Sequence, residues 1–179
     1  TEPSAPLSAS SVVVDVACYG EATGEIDITV LGGTPGYTYS WVASNGGNLG
    51  TNSATSEDLV GLVAGDYVCT ITDANGCDLP VTITVSQSSA FTYSITNIDP
   101  TCFGFSDGEI SILAFGGTGF YNYTLEIDNP SLGWVSFAST TGYVSVPPPP
   151  FSVPSGLFRI VVTDDAGCEQ TSPNIIIVD

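Results

Sequence analysis

The chain has no lysine, no histidine and a single arginine, Arg159, against 19 acidic residues in 179, for a formal net charge of −18. Neutralising phosphates takes Lys and Arg in number, so nucleic acid is excluded as a partner class. An anionic membrane surface is excluded for the same reason. Nucleophile–base catalysis runs on His, or on Lys as its substitute, so no enzyme is expected. Zinc sites lack their His, and the spacing of Cys69 and Cys77 matches no ligand pattern. No apolar run is long enough to cross a membrane, so no membrane insertion is expected. The opening Thr1-Glu2-Pro3-Ser4 has neither a basic nor an apolar leader region. It is not read as a signal peptide, and the chain is read as a mature product or an excerpt of something longer. At most one salt bridge type can form, through Arg159. The acids repel one another, which favours a medium rich in salt or divalent cations.

What the chain does have is the same signature twice. Cys18-Tyr19-Gly20, Gly24-Glu25-Ile26, Gly32-Gly33-Thr34, Tyr37 and Tyr39 recur 84 residues on as Cys102-Phe103-Gly104, Gly108-Glu109-Ile110, Gly116-Gly117-Thr118, Tyr121 and Tyr123. The closing segment, Gly65 to Thr72-Asp73-Ala74-Asn75-Gly76-Cys77, recurs 91 residues on as Gly156 to Thr163-Asp164-Asp165-Ala166-Gly167-Cys168. The second copy therefore holds seven extra residues, between about Trp134 and Ser152. A repeat of this size is a small domain, not a solenoid turn. The hydrophobic share of 42% argues against disorder.

Apolar and polar residues alternate. Ile26, Ile28 and Val30 share one face, with Glu25 and Asp27 on the other. Tyr37, Tyr39 and Trp41 share a face, as do Tyr121, Tyr123 and Leu125. No helical period is sustained, and Gly and Pro punctuate the chain. The pattern predicts an all-β protein of two tandem immunoglobulin-like, Greek-key β-sandwich domains, residues 1–87 and 88–179, with about seven strands each. Trp41 is expected at the centre of the first core. The boundary falls near Ser86-Gln87-Ser88-Ser89. Pro147 to Pro150 is expected to form an extended surface loop or edge segment.

Four cysteines occupy repeated positions, and five in a Gly-, Thr- and Ser-rich acidic chain point to an oxidising, extracellular setting. Cys18, Cys77, Cys102 and Cys168 are the disulfide candidates. One pairing is intradomain, Cys18 with Cys77 and Cys102 with Cys168. If five strands separate the two cysteines of a domain, they lie at opposite poles, too far apart to bond. Cys18 then pairs with Cys168, while Cys77 and Cys102 point outward to neighbouring units. With four strands between them the intradomain pairing is restored, so both stay open. Cys69 alternates with Tyr67 and Ile71 and is expected buried.

The turns carrying Asp73, Asn75, Asp164 and Asp165 offer oxygen ligands for Ca²⁺. The competing and stronger reading is that these Asp cap hairpin turns. No other cofactor is expected. Glu25, Asp27 and Glu109 sit on polar strand faces, which weakens a two-carboxylate glycosidase reading. Phe103, Phe105, Phe120 and Trp134 cluster near turns of the second half and are either sugar-stacking residues or core and interdomain packing.

Together these residues resemble the SprB-type repeats of giant gliding-motility and adhesion proteins on Bacteroidetes cells. The first half matches through Gly32-Gly33-Thr34-Pro35-Gly36-Tyr37-Thr38-Tyr39-Ser40-Trp41, Leu62-Val63-Ala64-Gly65-Asp66-Tyr67 and Thr72 to Cys77. The second departs: Gly119 replaces the Pro, Leu125 the Trp, and Asp165-Ala166-Gly167 the Ala-Asn-Gly. The resemblance implies an extracellular, type IX-secreted surface protein and carries over no catalytic residues. The segment from Thr1 to Leu7 is similar to the stretch after a repeat's last strand, and Asn174 to Asp179 reads as such a strand. Joined end to start, they would form another inter-repeat junction. The expected role is a structural or adhesive unit stacking head to tail with copies of itself or neighbouring repeats. The alternatives are a carbohydrate-binding module for surface polysaccharide and a glycoside hydrolase fragment.

Overall fold

The period-2 alternation is borne out in the core strands of a computed structural model that describes residues 5–143 and 147–178. The chain divides into two compact units, Thr1–Ser88 and Ser89–Asp179. The terminal segments expected to join end to start fall partly outside the described residues, at 1–4 and 179.

Domain 1 consists of β1 (Ser8–Val14), β2 (Gly24–Leu31), β3 (Thr38–Ser44), β4 (Leu59–Leu62), β5 (Gly65–Thr72) and β6 (Asp78–Val85). In β2, Gly24, Ile26 and Ile28 are buried while Glu25, Asp27 and Thr29 are exposed. The strands pair antiparallel into two sheets, β1-β2-β4 and β3-β5-β6. Their inner faces enclose a core that includes Ile26, Ile28, Trp41, Leu59, Tyr67 and Ile71. Trp41 is central as expected, and its indole N–H donates to the Ser56 carbonyl at 2.9 Å.

Tyr67, fully buried on β5, donates its hydroxyl to the Val63 carbonyl four residues upstream at 2.8 Å. This is the tyrosine corner of immunoglobulin-like domains, where the second cysteine of the inter-sheet bridge follows two residues later. Cys69 stands at that position. β2 turns Ile26 and Ile28 to the core and offers no cysteine, so Cys69 remains a free, fully buried thiol. Burial pushes its pKa up.

Among its described residues domain 1 has six strands, where about seven were expected. Between Ser44 and Leu59 the chain runs back as an irregular leg. Ala54 O accepts the Trp41 N–H at 2.8 Å, and Asn52 Nδ2 donates to the Leu49 and Val60 carbonyls, both at 2.7 Å. The stretch is rich in Asn, Ser and Gly, whose side-chain-to-backbone bonds compete with a strand ladder.

Domain 2 consists of β7 (Ser89–Ile98), β8 (Gly108–Gly117), β9 (Tyr121–Asn129), β10 (Gly133–Tyr143), β11 (Phe151–Val153), β12 (Gly156–Asp164), β13 (Glu169–Thr171) and β14 (Ile175–Ile177). One sheet is β11-β8-β7; the other is β10-β9-β12-β13, with β14 also on β12. The order repeats domain 1, so both domains are immunoglobulin-like sandwiches. The additions are two. β10 is an edge strand filling much of the insertion; residues 144–146 lie outside the described residues, and Pro147 to Pro150 forms no strand. The counterpart of β6 is split at Ser172-Pro173-Asn174. There the buried Ser172 substitutes for the ladder: its N–H donates to Ile160 O, and its Oγ accepts the Ile160 N–H, each at 2.8 Å.

Strand direction gives each domain two poles. In domain 1, the hairpin between β5 and β6 lies beside the start of β1 and of β3 (Ser8 pairs with Leu31, Thr38 with Thr72). The opposite pole holds the start of β2 and of β5 and the end of β6 (Gly24 pairs with Leu62, Gly65 with Val85). In domain 2, Ser89 pairs with Gly117 at the hairpin pole, and Gly156 with Ile177 at the other. The chain thus enters each domain at its hairpin pole and leaves from the opposite one.

Candidate functional site

At the hairpin pole the repeated signature closes into one hydrogen-bonded knot. The first glycine of each Gly-Gly-Thr has positive φ (Gly32 +70°, Gly116 +79°), and a Cβ there would lie 2.0 Å from the Pro6 or Ala90 carbonyl oxygen. Only glycine admits that crossing of the incoming strand. The carbonyls of Gly32 and Gly116 accept the hydroxyls of Tyr37 and Tyr121, both at 2.6 Å.

The turn aspartates tie the hairpin to this crossing. Asp73 Oδ1 accepts the N–H of Asn75 and of Cys77, both at 2.9 Å, and Oδ2 accepts that of Thr34 at 2.9 Å. Asp164 repeats this with Ala166 at 3.0 Å, Cys168 at 2.9 Å and Thr118 at 2.8 Å. Both carboxylates are buried. The Cys77 N–H first, then that of Thr34, holds the Asp73 carboxyl below the usual carboxylate range. Three converging backbone N–H donors on each carboxylate give the geometry of a turn cap. Asn75 spends its side-chain N–H on Thr34 Oγ1 at 2.7 Å. Asp165 lies in the same turn, and its N–H donates to Thr118 O at 3.1 Å. Among the described residues no group of three or more His, Cys, Asp or Glu is placed to hold a metal ion.

The cysteines sit in two frames, each occurring twice. Cys77 and Cys168 end the hairpin turns, and their carbonyls accept the N–H of Asp73 and Asp164 at 3.0 and 3.1 Å. Cys18 and Cys102 open loops at the opposite pole, where their carbonyls accept the N–H of Glu21 and Phe105, both at 3.1 Å. The residue before each donates its N–H to a side chain six residues on: Ala17 to Thr23 at 2.9 Å, Thr101 to Asp107 at 3.1 Å. Within a domain the two cysteines are thus separated by roughly the length of an eight-residue strand, on the order of 25 Å. No disulfide spans that. The intradomain pairing is therefore corrected: Cys77 and Cys102 are free and exposed, whereas Cys18 and Cys168 are disulfide-bonded.

Phe103, Phe105, Phe120 and Trp134 do not form one cluster. Phe103 and Phe105, 89% and 56% exposed, lie on the Cys102 loop. Phe120 lies at the hairpin pole between β8 and β9. Trp134, on β10, carries the Arg159 guanidinium 4.5 Å above its ring, and Arg159 Nε is paired with Glu126 at 2.6 Å. One face of that ring is occupied by the chain's own cation.

The SprB repeat family matches residues 10–48 and 92–127, one segment in each domain. Both segments are thus similar to SprB repeats. No curated protein matches it. Among solved structures it is similar to DIP-gamma IG1+IG2 at 10% identity and a TM-score of 0.38, over 94% of this chain and 96% of that one. It is also similar to Drosophila OTK extracellular domains 3-5 at 14% identity and 0.35, over 97% and 61%. Strand pairing, not these likenesses, defines the fold.

The departures of the second repeat from the first have local causes. Where Asn75 reaches Thr34, Ala166 cannot, and Thr118 Oγ1 donates to Asp164 Oδ2 at 3.2 Å instead. Where Tyr67 makes the corner, Phe158 has no hydroxyl and is met edge-on by Phe137 at 5.6 Å. Sequence reading missed the tyrosine corner, for which the spacing Tyr67-x-Cys69 was an available signal. It also missed Ser172, which carries no signal at all, because its role depends on the strand beside it.

Proposed function

We propose that this chain is a structural repeat unit of a bacterial extracellular surface protein or filament, and that its repeats stack head to tail. One observation carries the reading. Each domain receives the chain at its hairpin pole and releases it at the opposite pole, with a repeated cysteine frame at each. A unit of that polarity presents complementary ends to the next unit of the same kind, and such arrays propagate by neighbour contacts. The SprB repeat match supports a surface-protein role, and the disulfide-bonded cysteines suit an oxidising, extracellular location. The role is mechanical rather than catalytic, since the side chains that usually run nucleophile–base chemistry are absent from the sequence.

Electron microscopy and native mass spectrometry of the purified chain at high concentration test this. Filaments, or a ladder of multiples, support stacking. A strictly monomeric two-domain particle overturns assembly of separate chains.

A further inference from the structure

Of the four repeated cysteines, the two that are bonded and the two that are free occupy the same pair of frames. Cys18 and Cys102 share the loop frame: the preceding N–H is held by a side chain six residues on, and the carbonyl by an N–H three residues on. Cys168 and Cys77 share the hairpin frame, each held by its turn aspartate through the same two bonds. One member of each frame, Cys18 and Cys168, is disulfide-bonded. The other member of each, Cys102 and Cys77, is free and exposed. Chain connectivity explains which is which. The chain leaves domain 1 at the pole holding Cys18 and enters domain 2 at the pole holding Cys168. Cys77 and Cys102 lie at the poles remote from that connection. A further copy placed before or after this one in the same sequence would bring one loop frame and one hairpin frame to each new junction.

We propose that Cys102 of one copy and Cys77 of the next form an intermolecular disulfide that staples consecutive units. The proposal rests on the head-to-tail reading above and names its covalent chemistry. The surroundings of Cys102 fit burial against a partner. Phe103 and Phe105 flank it, and Ile98 and Val178, 62% and 55% exposed, lie at the same pole, where Val178 N–H donates to Asp99. Exposed apolar side chains at the same pole as a free thiol mark a surface that association would cover. The two ends differ in kind, so the contact is heterologous and propagates instead of closing as a two-fold dimer.

The oxidant is a small-molecule disulfide. The Cys102 thiolate attacks it, forming a mixed disulfide and releasing one small thiol. The Cys77 thiolate of the next copy then attacks the Cys102 sulfur, and the second small thiol leaves. One protein disulfide forms, one small disulfide is reduced, and the protons of the two cysteines end on the released thiols.

The full chain, concentrated in a buffer of oxidised and reduced glutathione, should give a ladder on a non-reducing gel that collapses on reduction. Peptide mapping should join the Cys102 peptide to the Cys77 peptide. Cys77→Ser or Cys102→Ser alone should abolish the ladder, and an equimolar mixture of the two variants should stop at the dimer. A persistent monomer, or Cys77–Cys77 and Cys102–Cys102 links in the map, would overturn the staple. The double variant separates this from stacking itself. Should wild type give filaments without covalent links, and the double variant give the same, the staple is wrong and stacking stands. Should neither filaments nor a ladder form, both readings fail. Unchanged melting of the serine variants establishes that any loss is not misfolding.

Discussion

Asp164 shows how much one side chain holds at the hairpin pole. It is 2% exposed and accepts three backbone N–H groups and the Thr118 hydroxyl. Removing the acceptor orphans donors that water reaches poorly. Asp164→Ala should lower stability by about 3 kcal/mol, read as a shifted urea midpoint at constant slope. Its counterpart Asp73 links the same knot to pH. Backbone donors, that of Cys77 foremost, hold its folded pKa below the unfolded value, which is about 3.9. The stabilisation is therefore complete above the unfolded value and lost as pH falls through the folded one. Asp73→Asn should be less stable than wild type near neutral pH, and its stability should change less on acidification through that window. A variant that follows the wild-type acid curve would contradict this. The motif was legible as an Asp-bearing hairpin turn. Its second half was not, because the Thr34 and Thr118 N–H groups come from turns far away in sequence.

At the scale of elements, the two domains show how one strand plan tolerates different edges. Pro80 sits in β6, an edge strand whose missing N–H costs no ladder bond when it faces outward. In domain 2 the same edge is broken, and Ser172 repairs it by offering Oγ to the Ile160 N–H at 2.8 Å. Ser172→Ala leaves that buried N–H without a partner. The expected loss is about 2 kcal/mol, measured by chemical unfolding; a change within error would show that the strand pair readjusts. The alternation located β2, β3, β5 and their counterparts because each buries one face. It could not locate the irregular leg between β3 and β4, where one carbonyl meets β3 and the Asn52 and Ser53 side chains satisfy other backbone groups.

For the whole molecule the governing quantity is its charge of −18 with a single cation. Arg159 is committed to Glu126 and to the Trp134 ring. The remaining carboxylates meet no opposite charge, and their repulsion is felt over about 10 Å at 0.1 M salt. Raising the salt should therefore raise the melting temperature, with most of the gain at the low end of ionic strength. A salt-independent melting temperature would mean that the acids are too far apart to interact. The same screening should favour association of copies, whose mutual repulsion is otherwise considerable.

The sequence by itself determined the repeat, the sandwich plan and the core, because alternation is a local property and each strand declares its buried face without reference to the others. Cys69 was assigned to the interior on that ground, and is there. Only the tertiary structure decided at which pole of its domain each cysteine lies. The pole at which a residue ends depends on how many times the chain has crossed the domain. Domain 1 places only four strands between Cys18 and Cys77, β2 to β5, yet the unpatterned leg before β4 adds a return. Domain 2 makes that return with β10. A count of crossings is a sum over the whole fold, and no local period records it.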